Sequence, residues 1–169
     1  MNNMEFEEAI KHVLSSEGGY TDDPNDVGNW SDGKLKGTKF GISARAYPDL
    51  DIKNLTREEA VRIYKRDYWD KFNVEVLPVK IRLHFFDVCV NSGYSRAVKL
   101  LQSSLGLVVD GIIGNKTKAK LPEVSIEKYA QARSDFYISL AINKGSNFTF
   151  LKGWLRRVIS VTVISIEHD

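Results

Sequence analysis

Apolar residues fall at helical spacing through most of this chain, and a polar stretch from Tyr20 to Thr38 interrupts them. A chain patterned this way folds mainly into amphipathic helices and carries one small non-helical element near its start. The clearest helix takes Ile126, Tyr129, Ala130, Phe136, Tyr137, Leu140 and Ala141 at i, i+3, i+4 spacing and closes before Gly145. Phe6, Ala9, Ile10, Val13 and Leu14 mark a first helix that ends near Ser16, where Gly18-Gly19 stops it. Thr56-Arg57-Glu58-Glu59 has capping-box spacing and opens a second helix running towards Trp69. A third is predicted over Arg82 to Asn91, a fourth through Ala97, Leu100, Leu101 and Leu105, and a short one near Lys116 to Leu121. The run Val158 to Ile164 is β-branched enough for a strand, yet Trp154, Leu155, Val158 and Ile159 keep helical spacing, and its helical neighbours decide for a helix.

Between the first two helices the chain is rich in Asp, Asn, Gly and Ser, with Asp32-Gly33 as a turn signal, which predicts a loop or small hairpin. The fold class is therefore α+β, predominantly helical, with a small polar loop or hairpin lobe after the first helix. With 169 residues and 43% hydrophobic content, the chain can bury a core without disulfides or metals. One compact unit is the default, with two lobes at most. Its single cysteine, Cys89, sits in the apolar run Phe85 to Val90 and reads as core.

Charge is polarised. Residues 1 to 33 hold eight acids against Lys11, a net −7, which leaves +9 on the remainder of a chain whose total is +2. A basic body attracts nucleic acid, lipid surfaces and the anionic bacterial wall alike. No stretch approaches the roughly 20 apolar residues of a membrane span, and the acidic start is the reverse of a secretory signal. The expectation is a chain made in the cytosol without a signal peptide and without stable membrane insertion. His12, His84 and His168 are scattered and no metal-ligand spacing exists, so no metal and no cofactor are expected. Gly18-Gly19 lacks the Gly-Lys-Ser/Thr sequel of a phosphate loop.

Glu17 carries the most chemistry. It falls at the C-terminal end of the first helix, where the macrodipole and partial burial both favour a protonated carboxyl, the form a general acid needs to protonate a departing glycosidic oxygen. A polar helix-end residue before a glycine cap occupies the same position. Asp22, Asp23 and Asp26 follow in the polar loop, so a second carboxylate can face Glu17, as glycoside hydrolysis requires; loop aspartates are also ordinary turn formers.

Three elements in order, Glu17-Gly18-Gly19-Tyr20, Asp23-Pro24-Asn25-Asp26 and Thr38-Lys39-Phe40-Gly41-Ile42-Ser43, resemble the phage-endolysin and secretion-activating type of N-acetylmuramidase. The chain also looks like the wider phage-type lysozyme pattern, with Asp26 nine residues after Glu17. Tyr68-Trp69, Asp87, Asn91-Ser92-Gly93, Leu100-Leu101-Gln102, Asp110 to Gly114 and Thr117 extend the likeness, and the second half resembles a peptidoglycan-binding region.

The resemblance implies a lysozyme-like fold, a catalytic region over 1–92 and a helical peptidoglycan-binding-like region over 93–169 packed into the same compact unit. It implies hydrolysis of the bond between N-acetylmuramic acid and N-acetylglucosamine in peptidoglycan. Glu17 would be the acid, Asp26 its partner, with Asp23 as second choice, and Thr38 would help to position water. That arrangement suits an inverting enzyme, whose carboxyl groups stand roughly 6.5–9.5 Å apart. Tyr20, Asp23, Trp69 and Asn91 are the expected substrate contacts; Asn91 either donates to an N-acetyl group or caps a helix. The expected partner is bacterial peptidoglycan and not nucleic acid, the chain acting as a monomer and passing from the host cytoplasm to the wall. The sequence departs from the family where Val27-Gly28-Asn29-Trp30 leads into an insertion ending at Gly37. Thr38 is then either a water ligand or a strand residue, and Trp30 either lines the sugar cleft or packs the loop. Two further readings are a non-catalytic wall-binding or phage structural module and a lytic transglycosylase, which needs only one acid.

Overall fold

A computed structural model of the chain describes residues 5–16, 18–143 and 148–168. These form two compact units, one within residues 6–67 and one within residues 68–168. This packing boundary lies within a helical stretch and differs from the motif-based division at 92/93.

The first unit opens with α1, Phe6–Ser16, whose apolar stripe Phe6, Ala9, Ile10, Val13 and Leu14 is buried. Two minimal antiparallel hairpins follow. β1 (Trp30–Ser31) pairs with β2 (Lys34–Leu35), and β3 (Thr38–Lys39) pairs with β4 (Ile42–Ser43). Asp32 and Gly33 join the first pair with φ of 51° and 71°; Phe40 and Gly41 join the second with 52° and 76°. Positive φ at both central residues is the geometry of a tight two-residue hairpin, and it suits Asp-Gly far better than Phe-Gly. Phe40 is held there by the Tyr64 hydroxyl, which donates to its carbonyl at 2.9 Å. Helix α2, Arg57–Tyr64, starts on the predicted capping box: Thr56 Oγ1 accepts from the Glu59 N–H, and Glu59 accepts from the Thr56 N–H. Beyond Tyr64 the helix widens into a π-helical stretch over Lys65–Asp70.

The described residues of the second unit form helices and no strand: α3 (Val79–Ser92), α4 (Tyr94–Ser104), α5 (Asn115–Lys120), α6 (Ile126–Asn143) and α7 (Phe148–Glu167). Helix α3 packs against α4, α6 and α7 and is buried almost all round, from Ile81 through Cys89. Cys89 is core, as expected, and burial pushes its thiol well above the ordinary range. The β-branched run in α7 is a helix because Val158, Val161 and Ser165 lie along one face and are buried, while Thr162 returns its hydroxyl to the Val158 carbonyl at 2.8 Å. Packing of such a face overrides the modest helix propensity of β-branched residues. No helix among the described residues is long and apolar enough to cross a membrane.

Candidate active site

Glu17 lies outside the described residues; its flanks do not. Helix α1 ends at Ser16, and a Cβ placed on Gly18 or Gly19 would meet nothing within 4 Å.

From Tyr20 the loop is fixed by its own polar groups. Thr21 and Thr38 exchange two backbone hydrogen bonds, at 2.9 and 2.8 Å, which tie the start of the acidic loop to β3. Asp23 Oδ1 accepts from the Asn25 N–H and from its side-chain amide, both at 2.9 Å, closing a turn. Asp26 caps the short 3-10 helix Val27–Asn29: its Oδ1 accepts from the Gly28 N–H at 2.8 Å. Its Oδ2 makes no hydrogen bond among the described residues and remains an acceptor for water. A Cβ on Gly28 would stand 3.1 Å from Asp26 Oδ1 and 3.6 Å from Ser43 Cβ, and Ser43 is the cross-strand partner of Thr38. The turn capped by Asp26 thus lies near β4, whose Ser43 pairs with Thr38. Thr38 is a strand residue with paired backbone, half-buried, and its hydroxyl makes no hydrogen bond among the described residues.

Asn29 organises the loop, and no spacing in the sequence marked it. It is fully buried, its amide donates to the Asp23 carbonyl at 3.0 Å, and its own carbonyl accepts from the N–H groups of Lys36 and Gly37. Trp30 packs the loop by donating its indole N–H to the Pro24 carbonyl at 3.0 Å, yet 38% of it stays exposed. Tyr20 lies beside Gly37, donates weakly to the Lys36 carbonyl at 3.4 Å, and lines a cleft of about 340 Å³ with Asp22, Leu35, Lys36, Asp51 and Lys53. The side-chain and backbone N–H groups of Asn54 hold the Asp51 carboxyl below its ordinary value.

The two remaining expected contacts lie in the second unit. Trp69 is a correction: it is 2% exposed with its ring edge-on to Phe86 at 5.3 Å, so it presents no face to a sugar and serves as core. Asn91 is exposed in the last turn of α3 and donates to the Asp87 carbonyl one turn back, at 2.7 Å; Gly93, at φ 84°, is the cap instead. Asp87 itself is a buried ionic hub. Arg133 pairs with its Oδ2, and Arg157 reaches both oxygens, Nη2 donating to Oδ1 at 2.7 Å and Nε to Oδ1 at 2.9 Å and Oδ2 at 3.2 Å. Burial alone pushes the Asp87 carboxyl up; the two guanidiniums more than reverse this and hold it below the usual range. Asp110 forms a turn, its Oδ1 accepting from Gln102 and from the Ile112 N–H.

Residues 10–93 match the family model described as "Glycosyl hydrolase 108", and residues 96–159 match one described as "Predicted Peptidoglycan domain". No curated protein matches. Among solved structures, the chain is similar to SagA of Brucella abortus at 32% identity and a TM-score of 0.76, over 96% of this chain and 94% of that one. The chain belongs to glycosyl hydrolase family 108. Membership fits a lysozyme-like, predominantly helical fold with small antiparallel hairpins. It makes the chain a glycoside hydrolase, and the second match makes peptidoglycan its polymer.

Proposed function

We propose that this family 108 member hydrolyses the β-1,4 bond between N-acetylmuramic acid and N-acetylglucosamine, with Glu17 as general acid and inversion at the sugar carbon. The observation that carries the reading is the Asp26 carboxylate, nine residues after Glu17, with one oxygen held by the Gly28 N–H and the other open to water. With Thr38 helping to position it, a water would be held and deprotonated by that carboxylate on the sugar face opposite the acid. Asp23 is less suited as partner because Asn25 occupies its Oδ1 twice. Tyr20 and the exposed part of Trp30 would contact the glycan. Region 1–92 would carry catalysis and 93–169 wall binding. We further infer a phage endolysin, acting as a monomer and released to the wall by a separate membrane-permeabilising protein.

The decisive experiment incubates purified wall with the chain and with Glu17→Gln, measuring turbidity and sizing the fragments. Hydrolysis yields reducing ends, and the Gln variant should lose about a thousandfold in rate, within the span a general acid contributes, while its melting temperature stays close to that of the parent. Anhydro-muramyl products would assign a lytic transglycosylase instead. Binding without fragment release would overturn catalysis.

A further inference from the structure

The second unit holds a cavity of about 430 Å³ that the catalytic reading does not use. Its size falls within the range of small-molecule sites. Tyr137 and Leu140 from α6, Trp154 and Arg157 from α7, and Asn91 and Ser92 from the end of α3 line it. Three features point to one kind of occupant.

The first is aromatic. Tyr137 and Trp154 stack with ring centroids 5.1 Å apart at 24°, and the exposed Phe150 ring lies 6.0 Å from Trp154 at 28°. Flat rings of this kind receive the apolar face of a pyranose.

The second is charge. Asp87 is shared by two guanidiniums, Arg157 in the cavity wall and Arg133 beside Tyr137, so the cluster carries one positive charge more than it cancels. Nε and Nη1 of the fully buried Arg133 have no hydrogen-bond partner among the described residues. Lys152 and Arg156 on α7 are exposed and add to the same sign. A surplus cation behind a low-dielectric wall attracts an anion.

The third is the Asn91 side chain at the lip. Its Nδ2 is committed to the Asp87 carbonyl, which leaves Oδ1 to accept from an acetamido N–H.

We propose that this cavity binds a carboxylate-bearing N-acetylmuramyl unit of peptidoglycan, the sugar on Trp154 and the carboxylate towards the Arg157–Asp87–Arg133 cluster. The choice of polymer rests on the family reading; the choice of an acidic amino sugar rests on the cavity.

The test uses the full chain, whose three tryptophans Trp30, Trp69 and Trp154 give three separable indole N–H signals once each is assigned by a Trp→Phe substitution. Titration with N-acetylmuramic acid and with muramyl dipeptide should shift the Trp154 signal, and Trp69, buried in the core, should stay put. Uncharged di-N-acetylchitobiose should bind at least tenfold more weakly at Trp154, and raising the salt should weaken the acidic ligands but not the neutral one. If muramyl dipeptide binds while N-acetylmuramic acid does not, the carboxylate that counts is on the peptide; the converse assigns the sugar's own. Arg157→Gln should weaken acidic ligands about tenfold and raise KM on wall with kcat unchanged. Should that variant fold poorly, the salt dependence of the wild-type chain still decides.

An unmoved Trp154 signal, or equal affinity for the neutral disaccharide, overturns the site. Because the indole signal needs no bond cleavage, a chain that fails to release fragments yet moves Trp154 would sink the catalytic reading and leave this one standing.

Discussion

At Gly37 the acidic loop leaves no room for a side chain. The residue has φ +86°, and a Cβ there would come within 2.5 Å of the Tyr20 ring and 2.7 Å of the Thr21 carbonyl. Gly37→Ala combines a disfavoured backbone with a clash against a motif residue, so it should destabilise the first unit by about 1–3 kcal/mol and slow cleavage by displacing Tyr20. Urea unfolding followed by Trp30 fluorescence, with turbidity clearing at a temperature where the variant is folded, checks both effects. Asp26→Asn has the opposite profile. The amide oxygen can still accept from Gly28, so stability should hold while hydrolysis falls about a hundredfold or more. Equal activity in Asp26→Asn would transfer the partner role away from Asp26. At this scale the sequence made the acidic loop legible but not the fate of each side chain. Trp69 followed an aromatic at helical spacing, a pattern that core and platform share, and only packing on Phe86 separates them. Asn29 carried no signal because its role is a backbone-to-amide network within an insertion.

Elements were readable wherever a local rule sufficed. Thr56 and Glu59 make the expected box, and Thr56→Ala should cost about 1 kcal/mol, read as a lower unfolding midpoint of the first unit with cleavage unchanged at low temperature. Asp32-Gly33 turns as its composition predicts. At the Phe40-Gly41 turn, the positive φ of Phe40 had no signal in the residues, because an aromatic side chain is not a marker of that conformation. Its stabiliser, the Tyr64 hydroxyl, sits 24 residues away. This turn gives the Thr-x-x-Gly-Ile element its spacing: Thr38 and Ser43 are cross-strand partners, and Phe40-Gly41 is what lets them meet. Tyr64→Phe removes that hydroxyl alone and should loosen the hairpin, visible as faster amide exchange at Gly41 and Ile42 than in the parent chain. The second helix was expected to run on as a single α-helix towards Trp69, and nothing in its periodicity announced the π-helical stretch that begins at Lys65.

Across the molecule, the contacts hardest to read are those between residues far apart in sequence, and Asp87 is the extreme case, with partners 46 and 70 positions away. It joins α3, α6 and α7 in one buried ion network, so its protonation is linked to the folding of the second unit. The two guanidiniums hold the folded-state carboxyl below 3.8, its ordinary value, despite burial. Unfolding restores that ordinary value and takes up a proton at mildly acidic pH, so the stability contributed is complete above about pH 4 and is lost as pH falls through the depressed folded value. Exposed Asp51, Glu59, Asp110 and Glu127 are shifted the same way and add to the acid slope, so the comparison must be with Asp87→Asn. That variant leaves Arg133 buried against a neutral partner and should lose about 3–5 kcal/mol at neutral pH. Its stability deficit should then shrink as pH falls below 4, because the wild-type carboxylate is being neutralised too. Thermal unfolding at 222 nm between pH 2 and 7 measures the two curves, and curves that stay parallel down to the lowest pH would mean that the Asp87 carboxylate is not what its two arginines hold in place.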